Sequence, residues 1–154
     1  MTPLQTEITT GPLAAELAPF EAEKNVASML GILNDKRFLS PVSRMVTDRT
    51  ILAECINPTS GLPDAVWASS ILDKMDAVAA QSTLVARAMK RIYGDGLDIG
   101  DKAAQAQINM LVPAVLTSGE AAALCALGMA KIGRAKIALG TDASAAEIIN
   151  EMGW

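Results

Sequence analysis

Histidine is absent from all 154 residues of this chain. That removes the commonest general base, the commonest metal ligand and the usual switch near neutral pH. Aromatic residues make up only 3%, so the core has to be assembled from Ala, Leu, Ile, Val and Met. Such residues favour close helix packing over sheets, which prefer aromatic and β-branched side chains. A basic excess is also lacking. The formal net charge is −4, which argues against nucleic acid as the main partner, because a phosphate-binding surface normally carries surplus Lys and Arg. The longest uncharged apolar stretch, Ala121–Ala130, falls well short of the ~20 residues that span a bilayer, so no membrane partner is expected. The opening Met1-Thr2-Pro3-Leu4-Gln5-Thr6-Glu7 has neither the basic nor the apolar region of a secretory signal. The expectation is a soluble protein made and kept in a cytoplasm unless something else carries it out.

What is present points to a folded chain. Hydrophobic residues are 51% and charged residues 19%, which excludes the low-hydrophobicity, high-charge regime of disorder. The length suits one domain, 1–154, with no repeat and no linker of boundary character. Cys55 and Cys125 each sit inside an apolar helical pattern and read as buried thiols acting as small hydrophobes. A disulfide between them would require an oxidising compartment.

Helix punctuation recurs along the chain. Thr2-Pro3 is a capping hydroxyl followed by proline at the first helical position, and Gly11 closes that helix. Pro19 predicts an interruption, followed by a helix over 21–34 with Val26, Met29, Leu30 and Leu33 on one face. Thr47 caps a helix carrying Ile51, Leu52, Cys55 and Ile56, and 57–61 is a turn. Val66, Trp67, Ile71 and Met75 mark the next apolar face, and Val85, Ala88, Met89 and Ile92 the one after a possible recap at Ser82-Thr83. Pro113 kinks or ends the helix that begins near Lys102. Thr117–Glu120 and Ser144–Glu147 are capping boxes. Between them 131–139 predicts a short helix, and the last helix turns Ala145, Ile148, Ile149 and Met152 inward. No strand of useful length is predicted. The fold class is all-α: a compact orthogonal bundle of about seven to nine short helices.

Few constellations offer chemistry. Asp95, Asp98 and Asp101 are three apart, whereas a calcium loop uses alternate positions and closes with a glutamate at the twelfth. They read as a turn and a helix N-cap, with a cation site as the alternative. Serine has no activating histidine, no Gly-x-Ser-x-Gly elbow is present, and no phosphate-cradling glycine loop occurs. Glu21 and Glu23 diverge on a helix. No enzyme, no metal and no cofactor is therefore expected. Arg87, Lys90 and Arg91 occupy the polar side of a helix, and Lys131, Arg134 and Lys136 form a second basic group. Each reads as a solvated face or as a contact for phosphate or an acidic partner, without the aromatics that stack single-stranded bases. The eight methionines read as core packing or as an adaptable surface. Trp154 is either docked or offered to a neighbour, since an indole gains nothing in water. The partner-binding candidates are Arg87, Lys90, Arg91 and Trp154.

Three stretches resemble small α-helical tailed-bacteriophage late-gene proteins. Leu4-Gln5-Thr6-Glu7-Ile8 through Gly11-Pro12 is similar to their opening Leu-x-x-Glu-Ile helix and Asx-Pro break. Met45-Val46-Thr47 through Ile56-Asn57-Pro58-Thr59 is similar to their Met-Thr-capped helix ending in Ile-Asp-Pro-Thr. Ile132-Gly133-Arg134-Ala135-Lys136-Ile137-Ala138-Leu139-Gly140 and the closing helix to Met152 resemble their Ser-Arg-Ala-Glu-Glu-Leu-Gly segment and last capped helix. The chain departs from that pattern at Gly11, where an acidic residue is usual, and at Lys136-Ile137, which replace paired glutamates. The resemblance implies a virion-associated product and carries over no catalytic residue. The expectation is a structural component of a tailed-phage particle, near the tail or head–tail junction. It would assemble in the host cytoplasm as a homo-oligomer with other virion proteins, through apolar helix faces. The alternative is a phage-encoded cytoplasmic binding or regulatory protein that grips a host protein or nucleic acid through Arg87, Lys90 and Arg91.

Overall fold

The computed structural model describes all 154 residues. In chain order the elements are α1 (Pro3–Thr10), α2 (Ala14–Ala22), α3 (Val26–Asn34), β1 (Phe38–Pro41), β2 (Met45–Val46), α4 (Asp48–Glu54), β3 (Ile56–Asn57), β4 (Leu62–Pro63), α5 (Ala65–Ala79), α6 (Thr83–Ile92), β5 (Leu97–Asp98), α7 (Lys102–Met110), α8 (Ser118–Ala126), β6 (Met129–Ile132), α9 (Arg134–Leu139) and α10 (Ala145–Met152). The protein is dominated by helices, as its composition predicts. Short strand pieces pair β1 with β6, β2 with β5 and β3 with β4. The sequence does not predict them, because pieces of two to four residues are too short for alternation to register. The chain separates into two compact units, one built from both ends, Met1–Ser40 and Ala130–Trp154, and the other from Pro41–Met129.

The unit made of the chain ends packs α1 and α3 against α2, α9 and α10. Leu4 with Ile8, Leu13 with Leu17, and Met29 with Leu33 follow i, i+4 spacing, and all six are buried together with Ala135, Ala143 and Ile148. Each large aliphatic side chain so buried contributes about 1.5–3 kcal/mol. Polar clamps fix the register. The Asn34 side chain donates from Nδ2 to the Ala143 carbonyl at 2.9 Å and accepts the Ala143 N–H at 2.9 Å. Thr2 Oγ1 donates to Glu151 Oε2 at 2.6 Å, and the Gln5 amide donates to the Glu151 carbonyl. α1 opens with a capping box, Thr2 with Gln5.

Three local expectations change here. Pro19 lies inside α2 rather than ending it. Ala15 and Pro19 both face solvent, so water reaches the carbonyl that the missing N–H leaves open. The break falls at Lys24, which takes φ 53°, and Asn25 then caps α3 through the Ser28 N–H. The helix predicted over 131–139 begins only at Arg134, because Met129–Ile132 pairs as a strand. In α10, Ile148 is buried and Met152 half-buried, but Ala145 and Ile149 are exposed. One turn of a short helix can turn only a narrow stripe inward.

In the Pro41–Met129 unit, α5 packs along α6, α4 packs on α5, and α7 packs on α8. Ile51, Cys55, Ala68, Ile71, Met75, Met89, Ile92, Ile108, Leu116 and Leu124 form its core. Val66, placed by spacing on the apolar face of α5, is instead 84% exposed. Thr47, Asp64, Ser82, Asp101 and Thr117 each accept a backbone N–H at the start of their helices. α7 stops at Met110, three residues before Pro113. β2 and β5 are antiparallel, with Met45 opposite Asp98 and Val46 opposite Leu97. Beside them the backbone crosses itself at van der Waals limits. A Cβ on Gly100 would lie 1.6 Å from the Val42 carbonyl oxygen, and one on Gly128 would lie 2.5 Å from the Gly100 nitrogen. Only hydrogen fits at either position, and the Val42 N–H donates to the Gly128 carbonyl at 2.8 Å.

Candidate binding site

Helix α6 carries the sharpest separation of polar and apolar side chains in the chain. Ser82 starts it, its hydroxyl accepting the Val85 N–H at 3.3 Å. Met89 and Ile92 enter the core. Leu84, Val85 and Ala88 point to a neighbouring strip that no other side chain fills. Together with α7 and the core floor they line a cavity of about 230 Å³. Ile108 and Leu124 belong to that floor, and both are buried. Leu84 and Met110 also line it while remaining 55% and 80% exposed, so they mark its opening.

The lining is apolar apart from Ser82 and Gln107, and it includes no carboxylate. The Ser82 hydroxyl is already engaged as the cap of α6. A polar reaction has no converging set of groups here.

Two of the sequence-derived candidates lie on α6 one turn from residues that line the cavity, without lining it themselves. Arg87 stands three residues from Leu84, and Arg91 three residues from Ala88, which makes each a neighbour of a lining residue on the helix surface. Both are exposed. Neither takes part in an ion pair, whereas Arg37, Arg44, Lys74 and Arg134 each hold a carboxylate. Lys90 lies on the same helix, rotated away from the cavity side by the 3.6-residue turn. Trp154 belongs to the other unit, packs half-buried against its core, and has the Lys24 ammonium 6.0 Å from its ring centroid. That is the geometry of a cation–π contact.

A second surface lies on the β3–β4 hairpin. Ile56 is 50% exposed, Leu62 65% and Val66 84%. Ile56 pairs with Pro63 and Asn57 with Leu62, so cross-strand geometry puts Ile56 and Leu62 on opposite faces. The hairpin rests on α4, α5 and α8, yet Ile56 stays half exposed and Leu62 mostly exposed. Spacing alone could not find this surface, since Ile56 and Val66 both sit in core phase. Leu84 and Met110 escape a sequence reading for a related reason, as nothing local distinguishes an apolar residue that frames an opening from one that fills a core.

The acidic residues with displaced proton affinities are all occupied by structure. Asp98 is held below the ordinary carboxylate range by the Arg44 N–H, with further bonds from Ser43 Oγ and the Gly100 N–H. Asp101 caps α7 through the Ala104 N–H. Asp95, Asp98 and Asp101 therefore act as turn and cap residues, and no group of three His, Cys, Asp or Glu side chains converges as metal ligands. Asp64 is lowered by the Trp67 N–H and by the Asn57 amide. Burial raises Glu120, but Lys74 at 2.6 Å and the Thr117 bonds outweigh it and hold the carboxyl below its usual value. Burial pushes the Cys55 thiol up to about 11 and also raises Cys125. Neither is an activated nucleophile, since the thiolate is the reactive form. No helix is long and apolar enough to cross a membrane. Comparison with known protein families, curated proteins and solved structures returns no match.

Proposed function

We propose that this chain is a non-enzymatic structural component of a tailed-bacteriophage virion, placed near the tail or the head–tail junction and present in several copies. Its contact with neighbouring subunits is the β3–β4 hairpin and the start of α5. The observation that carries the assembly part is the exposure of Ile56, Leu62 and Val66 within one short segment. A two-residue hairpin with apolar side chains on both faces is marginal in water by itself. Fully covering a large apolar side chain contributes about 1.5–3 kcal/mol, so neighbours that cover the exposed parts of these three gain apolar burial that the isolated chain leaves in water. The virion assignment rests on the resemblance of the opening helix, the Thr47-capped helix and the closing segment to small phage late-gene proteins.

Purified particles test it. Mass spectrometry should find the chain at a fixed copy number, and the double variant Leu62→Asp, Val66→Asp should fold normally yet be missing from particles. Absence of the wild-type chain from particles would discard the reading. The second reading, a cytoplasmic binding or regulatory protein, is favoured by the unpaired Arg87 and Arg91 and predicts that Arg87→Glu with Arg91→Glu abolishes capture of the partner.

A further inference from the structure

We infer that the cavity between α6 and α7 is a binding site for a medium-chain aliphatic carboxylate, with the hydrocarbon inside and the carboxylate held by Arg87 and Arg91. The site lies wholly within the Pro41–Met129 unit and does not depend on the virion reading.

Size sets the tail. An apolar cavity of ~150 Å³ holds a six-carbon ring, and on that scale 230 Å³ accommodates about eight or nine carbons. Lining sets the chemistry of that tail. Apart from Ser82, whose hydroxyl caps α6, and the exposed Gln107, the lining side chains offer no hydrogen-bond partner, so most of an enclosed ligand must be hydrocarbon. Charge sets the head. Arg87 and Arg91 are exposed on one ridge of α6, four residues apart, just outside the lining, Arg87 one turn from Leu84 at the opening and Arg91 one turn from Ala88. Like Arg49, they have no carboxylate of the protein's own, whereas Arg37, Arg44 and Arg134 each hold one. A guanidinium pairs with a carboxylate through two parallel hydrogen bonds. No acidic side chain lines the opening to repel that head. A neutral alcohol of the same length satisfies the cavity but not the arginines.

Calorimetric titration of the full chain with sodium octanoate and, separately, with 1-octanol tests this. Octanoate, below its micellar concentration, should bind at one site at least tenfold more tightly than octanol, with a negative heat-capacity change from apolar burial. Arg87→Glu with Arg91→Glu, two exposed changes that leave the core untouched, should weaken octanoate at least tenfold and leave octanol unchanged. Ala88→Phe should fill the space and remove binding of both, with circular dichroism confirming the native helix content. No saturable binding of octanoate overturns the inference. So does octanol binding as tightly as octanoate, or an Arg87→Glu, Arg91→Glu variant that binds octanoate as the wild type does.

Discussion

Glu7 and Arg134, 127 residues apart in the chain, meet in a two-point ion pair inside the unit formed by the chain ends. Nε donates to Oε2 at 2.8 Å and Nη2 to Oε1 at 2.9 Å. Glu7 is 9% exposed, and the carboxylate beside it raises the affinity of Arg134 for its proton. A Cβ at position 11 would lie 2.7 Å from Glu7 Oε2 and 2.5 Å from the Glu7 carbonyl oxygen. Glycine at position 11 thus leaves room for this pair. Arg134→Ala strands a mostly buried carboxylate and should destabilise the protein by about 2–3 kcal/mol. Arg134→Lys should recover only part of that, because an ammonium cannot make the fork. Urea unfolding of both variants measures the difference.

Gly100 and Gly31 should respond to alanine in opposite directions. At Gly100 the new methyl group meets the Val42 carbonyl, a backbone atom that cannot move alone, and the loss should be about 3 kcal/mol or more. Gly31 sits in the middle of α3 with nothing within 4 Å of the added carbon. There alanine restricts the unfolded chain and should stabilise by about 0.5–1 kcal/mol. Thermal unfolding of the two single variants reads both signs.

Stability should be flat from about pH 6 to 7.5 and fall in acid, since no histidine titrates in that window. Asp64, Asp98, Glu120 and Glu147 all have folded affinities for the proton below their ordinary values of 3.8 and 4.5. A group lowered in the fold adds stability above its unfolded pKa and loses it as pH drops through the folded one. The urea midpoint should therefore begin to decline near pH 4.5 and continue falling below pH 3.8. Glu120→Gln should lower the midpoint at pH 7 and flatten the acid limb. An unchanged limb would remove Glu120 from this account.

Cys55 is fully buried and Cys125 half-buried, and both are free thiols. A chromogenic thiol reagent at pH 8 should leave Cys55 unmodified in the native protein and react with Cys125 only slowly. Both should react at once in denaturant. Rapid native modification of Cys55 would contradict its place in the core.

Periodicity and caps are local properties, and the sequence announced them well. Thr2, Thr47, Thr117 and Ser144 start helices where their side chains accept a nearby N–H. Ile51, Cys55, Ile71, Met75, Met89 and Ile92 are buried as their spacing requires. The candidate site was only half legible. Arg87, Lys90 and Arg91 could be named as cations on the polar side of a helix, but the cavity near them could not. Its walls come from Ile51 through Leu124, brought together by helices far apart in sequence.

Composition and spacing were enough to make this protein helical, free of histidine chemistry and rich in small aliphatic packing, because those features arise within one or two turns of chain. Which glycines must stay glycine, which carboxylate meets Arg134, why Met129–Ile132 is a strand and why Val66 is bare depend on contacts across many tens of residues. Only the tertiary structure decides them, since backbone pairing and side-chain cover are supplied by partners that local sequence does not encode.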